Sequence, residues 1–196
     1  MSWAEPTPLK GRFASLEPLA PEHLNGLVEA VKDGDLWKLW YTSIPHPDGM
    51  QAEIERRLSL QSEGKMAPFT VLDADGAIIG MTTYMNIDAH NKRVEIGSTW
   101  YAARAQRTPL NTECKLMLLT HAFEKLDCIA VEFRTSFFNL QSRRAIERLG
   151  AKLDGVLRSH IRHTDGSLRD TCVYSIIASE WPTVRSHLAY QLSRKR

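Results

Sequence analysis

Residues 99–115 read TWYAARAQRTPLNTECK: an aromatic strand-like end, a basic turn, and the start of a helix. A helix start presents backbone N–H groups without intrahelical acceptors and the positive end of the helix dipole, which is the chemistry that holds a phosphate. Thr108 reads as the N-cap and Pro109 as the first helical residue. The amides ahead of the helix, with Gln106 and Arg107, could wrap an anion. The dipole alone contributes only about 0.3–1 kcal/mol at an exposed end, so several amides and an arginine are needed. The stretch has no glycine, and Pro109 removes one donor. On the residues alone, a plain strand-to-helix connection with solvated arginines is the favoured reading, and element context has to decide.

Other chemistry-bearing residues are less organised. His160 and His163 are three apart, a helical ligand spacing in a stretch that reads as strand, and no carboxylate or cysteine completes a metal set. They read as solvated hairpin residues, and no metal is expected. His121 sits among apolar residues of a helix and reads as packed or exposed rather than as a base. No Ser/His/Asp order is present. Cys114, Cys128 and Cys172 are odd in number and far apart, which argues against a disulfide framework and for a reducing compartment. The net charge of +2 carries no nucleic-acid signature, although basic residues cluster at Arg104/Arg107, at Arg143/Arg144/Arg148 and in a tail that reads as solvated. No signal-like or membrane-spanning apolar run occurs, so a cytoplasmic protein with no membrane partner is expected.

The elements that must position these residues follow from periodicity. The chain has 196 residues, 43% of them hydrophobic, which suits one domain over 1–196. Lys10 to Leu19 reads as a strand, and helices are expected from Pro21 to Val31 and from Met50 to Ser62. Trp37 to Tyr41 is ambiguous, and Ile44 to Gly49 is a loop. Three strands follow in a meander, Ala67 to Leu72, Ala77 to Tyr84 and Arg93 to Tyr101, the first two flanking an Asp73-Ala-Asp-Gly76 turn. A helix from Pro109 to Leu126 carries Leu116, Leu119, Phe123 and Leu126 on one stripe. A strand from Cys128 to Thr135 precedes a helix from Asn139 to Leu149, with Asn139 as N-cap and Gly150 just past its end. Strands Gly155 to His163 and Leu168 to Ala178 and a helix from Ser179 to Leu192 complete the order. The long helix from Pro109 is sufficient to cross over between parallel strands. The fold class is α/β (α+β), a mixed, mainly antiparallel sheet flanked by helices.

This order, with the VEIGSTWY strand from Val94, Asn111-Thr-Glu113, and the NxxSxxAxxxLGA run from Asn139 to Ala151, resembles the GNAT acetyltransferase superfamily. More narrowly, it resembles the branch containing the ribosomal-protein N-terminal acetyltransferases. In that family an Arg/Gln-x-x-Gly-x-Gly/Ala turn binds the coenzyme A pyrophosphate. The matching positions are Gln106, Arg107, Thr108, Pro109, Leu110 and Asn111, with Thr112 beside them; the first position matches and both small residues are replaced, by Pro109 and Asn111. The resemblance implies that Trp100, Tyr101 and Ala102 pair with the pantetheine arm and that Asn139 contacts the cofactor in addition to capping a helix.

The resemblance implies acetyl transfer from acetyl-coenzyme A to an amine, which needs a proton acceptor for the amine and a proton for the departing thiolate. Glu95 is the expected base and Ser142 the thiolate-side candidate; Tyr174, inside a strand, is a poor match for that step. An exposed strand carboxylate is the competing reading of Glu95, and a locally satisfied helix residue that of Ser142. An α-amine, pKa about 7.7–8.0, costs only about 1 kcal/mol to deprotonate at pH 7, against about 4.6 kcal/mol for a lysine amine. Trp37, Trp40, Tyr41 and Pro45-His-Pro47 lie where the family builds its acceptor wall, and Asp170 matches an acidic position expected to pair with Arg158 or Arg169. The acceptor is expected to be a protein N-terminus or a small molecule, and the protein a monomer or homodimer. Pro109 and Asn111 favour a different class of function, an acyl-CoA-binding or regulatory protein with weak or no turnover.

Overall fold

A computed structural model describes residues 3–163 and 165–194. Thr164 and the basic tail residues Lys195 and Arg196 lie outside the described residues. Eight strands form one sheet: β1 (Leu9–Lys10), β2 (Ala14–Pro18), β3 (Met66–Asp73), β4 (Ile78–Asp88), β5 (Arg93–Tyr101), β6 (Ala130–Ser136), β7 (Lys152–Arg162) and β8 (Leu168–Ile177). Among the described residues five α-helices accompany them: α1 (Leu24–Lys32), α2 (Met50–Ser62), α3 (Leu110–Glu124), α4 (Leu140–Arg148) and α5 (Trp181–Ser193). The sheet order is β1-β2-β3-β4-β5-β6-β8-β7, and every pairing is antiparallel except β5 with β6. The strand expected from Lys10 to Leu19 is broken into β1 and β2, which pair antiparallel around Gly11. A helix-borne carboxylate holds that corner: Glu113 of α3 accepts the amides of Arg12 (2.9 Å), Phe13 (2.5 Å) and Ala14 (2.9 Å).

The core lies between the sheet and its helices. Leu16, Phe69, Val71, Met81 and Tyr84 from the sheet are sealed from solvent, as are Leu27 and Val31 of α1, and Leu118 and Leu119 of α3. The three thiols are free and buried within this packing. Among the described residues no helix is long and apolar enough to cross a membrane, and no group of three His, Cys, Asp or Glu could hold a metal.

The sheet is forked at its centre. The parallel pairing of β5 with β6 covers only Arg93↔Ala130, Val94↔Val131 and Glu95↔Glu132. Beyond Glu95 the two strands no longer pair, and β5 continues for six residues to Tyr101. At about 3.3 Å per residue that leaves roughly 20 Å of strand edge facing the gap.

Three irregularities shape the gap. β4 carries an extra residue near Asn86 (φ 47°), β5 carries one near Ser98 (φ 47°), and β7 is irregular around Ser159 (φ 47°). Bulges of this kind re-aim side chains that strict alternation would send to the other face. The bulge at Ser98 is held from below by Arg57 of α2, only 2% exposed, which ion-pairs with Glu53 (2.7 Å). Arg57 donates to Thr83 Oγ1 (2.6 Å) and to the Ser98 carbonyl (3.4 Å from each terminal nitrogen).

Candidate active site

The gap between β5 and β6 is the floor of a cavity of about 790 Å³, roofed by α4 and by the chain between α1 and α2. A cavity of this size is in the range of small-molecule sites.

Near the fork stands Glu95, 4% exposed. The alternation that set it opposite Val94 and Ile96 left a solvent-facing carboxylate possible; the structure buries it, because β6 and the neighbouring arginines cover that face. Asn86 Nδ2 donates to Glu95 Oε2 at 2.7 Å, and Arg134 Nε lies 3.5 Å from the same oxygen. Burial pushes the Glu95 pKa above the ordinary carboxylate value; Asn86, Arg134 and Arg169 pull it back, and Glu132 adds to the rise. Glu132, its cross-strand neighbour, is neutralised by Arg93 (2.5 Å) and Arg134 (2.9 Å). A carboxylate held partly against its ionised state, facing a cavity, is suited to accept a proton from an incoming group.

Further along β5, Trp100 and Tyr101 line the cavity, and the Trp100 indole N–H is buried without a hydrogen-bond partner. The basic turn then leads into α3. Arg107 takes a left-handed conformation (φ 60°), the geometry for which glycine is the usual solution. Helix α3 begins at Leu110, one residue later than expected, with Pro109 as the cap. Thr108 still serves the helix end: its hydroxyl accepts from the Leu110 amide at 3.4 Å and donates to the Ala105 carbonyl at 2.8 Å. Gln106 donates to the Tyr101 carbonyl (3.2 Å), and Gln141 of α4 donates to Gln106 (3.4 Å) across the cleft. Asn139 caps α4, its Oδ1 accepting from the Ser142 amide at 3.0 Å.

Of the residues the sequence singled out, the cavity brings together Glu95, Trp100, Tyr101, Gln106, Arg107, Thr108, Asn111, Asn139 and Ser142, with Tyr41 on the opposite wall. Ala102 lies outside the lining, its amide taken by the Ile79 carbonyl (2.8 Å). Pro109 and Leu110 line a separate smaller depression with Phe13 and Asp73, and Thr112 is buried with its hydroxyl unpartnered. Trp37 packs edge-on against His46, while Trp40, 62% exposed, lies tilted against Phe138 with ring centroids 5.7 Å apart. Tyr174 is sealed in the core, donating to Glu147 and accepting from Arg143. His121 stacks on Tyr84 away from the cavity, its pKa lowered by burial. Asp170 pairs with Arg158 (2.6 Å) and accepts the amide of Ser159 (2.8 Å).

Periodicity passed over several lining residues. His160, expected in solvent, faces the cavity and meets Thr171 Oγ1 at 3.2 Å, because the irregularity at Ser159 turns it inward. Asn86, Arg134 and Arg169 also line the cavity. So does Lys115, 6% exposed, whose ammonium among the described residues meets only Thr99 (3.0 Å) and Thr82 (3.3 Å), with burial lowering its pKa to about 8. One signal for Lys115 was available: it lies one turn before Leu118 and Leu119, on the buried stripe of α3.

This fold defines a class of α/β proteins in which two parallel central strands part over a cavity. Residues 15–152 match the family described as an acetyltransferase (GNAT) domain, and the chain belongs to that family. It is 32% identical over 107 residues to a Bacillus subtilis (strain 168) protein called "Putative ribosomal N-acetyltransferase YdaF", a match spanning 55% of this chain and 57% of that one. A crystal structure of a GCN5-related N-acetyltransferase from Brucella melitensis shares 30% identity with a TM-score of 0.85, over 97% of this chain and 87% of that one. Mycobacterium smegmatis RimJ, solved in complex with CoA-disulfide, shares the fold at 19% identity with a TM-score of 0.79, over 94% and 93% of the two chains. The family and the fold are those of acetyltransferases.

Proposed function

We propose that the protein is an N-acetyltransferase that moves an acetyl group from acetyl-coenzyme A to an amine, with a protein N-terminus as the favoured acceptor. The observation that carries this reading is the fork: a buried carboxylate stands where β5 and β6 stop pairing, and a basic turn closes the far end of the same cavity. The names of YdaF and of RimJ, the latter solved with a coenzyme A derivative, support the donor and the kind of acceptor.

The residues present suit coenzyme A. The unpartnered Trp100 N–H is a donor in a groove where an amide-bearing arm needs one, and Arg107, Arg144 and Arg148 line the cavity as cations for a phosphate. Gln106, Arg107, Thr108 and Asn111 would hold the diphosphate, and Trp100, Tyr101 and Asn139 the pantetheine. When bound, the coenzyme supplies the activated acyl group as a thioester.

The chain's own part is proton handling and placement. Glu95, in its ionised form, accepts the proton of the attacking amine directly or through one water. An α-amine needs little help, since its pKa of about 7.7–8.0 leaves a usable neutral fraction at pH 7. Ser142, on the first turn of α4, lines the same cavity and would serve the departing sulfur. Thermal stabilisation by acetyl-coenzyme A, followed by thiol release with a panel of peptides and small amines, tests the reading. Stabilisation and release with at least one α-amine are expected; stabilisation without release on any acceptor would leave a binding protein instead.

A further inference from the structure

Arg169 lines the cavity at the start of β8, half-buried, and among the described residues it has no ion-pair partner within 4 Å. Its Nε is buried without any hydrogen-bond partner. Burial lowers its pKa, and the nearby carboxylate it responds to is Glu95. The charges on the adjoining strand positions are paired with one another. Arg134 serves both Glu95 and Glu132, Arg93 serves Glu132, and Asp170, next in the chain, is turned onto Arg158 and Ser159. The wall around the base therefore holds Arg93, Arg134 and Arg169 against Glu95 and Glu132, an excess of one positive charge.

A half-buried guanidinium whose buried Nε has no partner is costly unless the rest of the group is completed. Were Arg169 there only to neutralise Glu95, it would contact that carboxylate as Arg134 does; instead both line the cavity and no ion pair within 4 Å joins them. An amine approaching Glu95 thus arrives beside a cation, which is unfavourable for a simple monoamine and favourable for a molecule carrying its own negative group. Arginine's planar fork matches a carboxylate in particular.

We propose that Arg169 receives a carboxylate carried by the acceptor a few bonds from the amine that faces Glu95. This rests on the acetyltransferase reading above and narrows its substrate class. The carboxylate belongs either to a free amino acid or to an acidic side chain in the first residues of a peptide. His160 and Thr171, bonded to each other on the same wall, complete the polar surface around it.

The test is steady-state acetylation with matched pairs: amino acids against their amides, and peptides with Asp or Glu at the first or second position against the same peptides with Asn or Gln. In one of the two series, kcat/KM should favour the acid at least tenfold, and the series that does so identifies the source. R169Q should collapse that ratio to near one through KM, with R169K restoring part of it. The acetyl-coenzyme A thermal shift of R169Q should match that of the parent, which also shows that the variant is folded. Equal or better use of the neutral member in both series overturns the proposal while leaving the acetyltransferase reading intact. R169Q weakening acetyl-coenzyme A binding by the same factor assigns the guanidinium to the donor and also overturns it. Absence of thiol release with every acceptor removes the parent reading and this one together.

Discussion

Asn86 donates a side-chain hydrogen bond to Glu95 Oε2 at 2.7 Å from a bulged position in β4, so the orientation of the buried carboxylate is fixed by a residue nine positions earlier. That bond favours the ionised form of Glu95 while burial opposes it. Asn86→Ala should therefore raise the Glu95 pKa further and move the acidic limb of the kcat/KM profile to higher pH. A pH profile that overlays the parent's would show that Asn86 does not tune the base. Glu95→Gln should lower kcat by about 10²–10⁴-fold and flatten that limb. Turnover unchanged across pH would exclude Glu95 as the base.

Arg57 ties α2 to the bulge of β5 through Glu53, Thr83 and the Ser98 carbonyl. Truncating one side of a buried ion pair costs about 3–5 kcal/mol. Arg57→Met should lose stability of that order in urea denaturation and raise the KM for acetyl-coenzyme A, because the bulge borders the cavity. Arg57→Lys should recover little, since a single ammonium cannot reproduce a fork that meets three acceptors. Full recovery by lysine would mean that charge alone matters there.

Lys115 is a buried ammonium with only two threonine hydroxyls for company. Its fall from 10.5 to about 8 corresponds to roughly 3 kcal/mol held against the folded state wherever the amine is charged in both states. That cost is fully present below pH 8 and disappears as pH rises towards 10.5, where the unfolded chain also loses the proton. Lys115→Met keeps the volume, and Thr82 and Thr99 still bond each other at 2.8 Å. The variant should be more stable than the parent at pH 7, by several degrees in Tm at about 2–4 °C per kcal/mol, with the gap closing between pH 8 and 10.5. A variant less stable at pH 7 would mean that the ammonium is satisfied in the fold.

Glu113 belongs to the Asn-Thr-Glu run at the start of α3, yet its carboxylate faces the β1–β2 corner rather than the cavity. Glu113→Gln offers one acceptor oxygen where three amides need two, and should cost about 1.5–3 kcal/mol. Its kcat/KM at a temperature where the variant is fully folded should equal the parent's. A selective loss of kcat with Tm preserved would place Glu113 in the chemistry instead.

The residues by themselves determined the order of strands and helices, because each element buries one face and its apolar period records that face. β5 over Arg93–Tyr101 and the Asn139 cap of α4 were legible for this reason, as was the crossover that makes β5 and β6 parallel. The strand carrying Glu95 and the helix start after Gln106 were legible because they are local properties, while the resemblance to the family is what singled these residues out for chemistry. Only the tertiary structure decided which side chains meet Glu95. Asn86 and His160 reach the cavity through bulges that break the two-residue alternation, and Arg134 and Arg169 arrive on strands joined to β5 only through the sheet. Burial of Glu95, and with it the upward pull on its pKa, comes from those distant segments closing over it, and no local pattern encodes their approach.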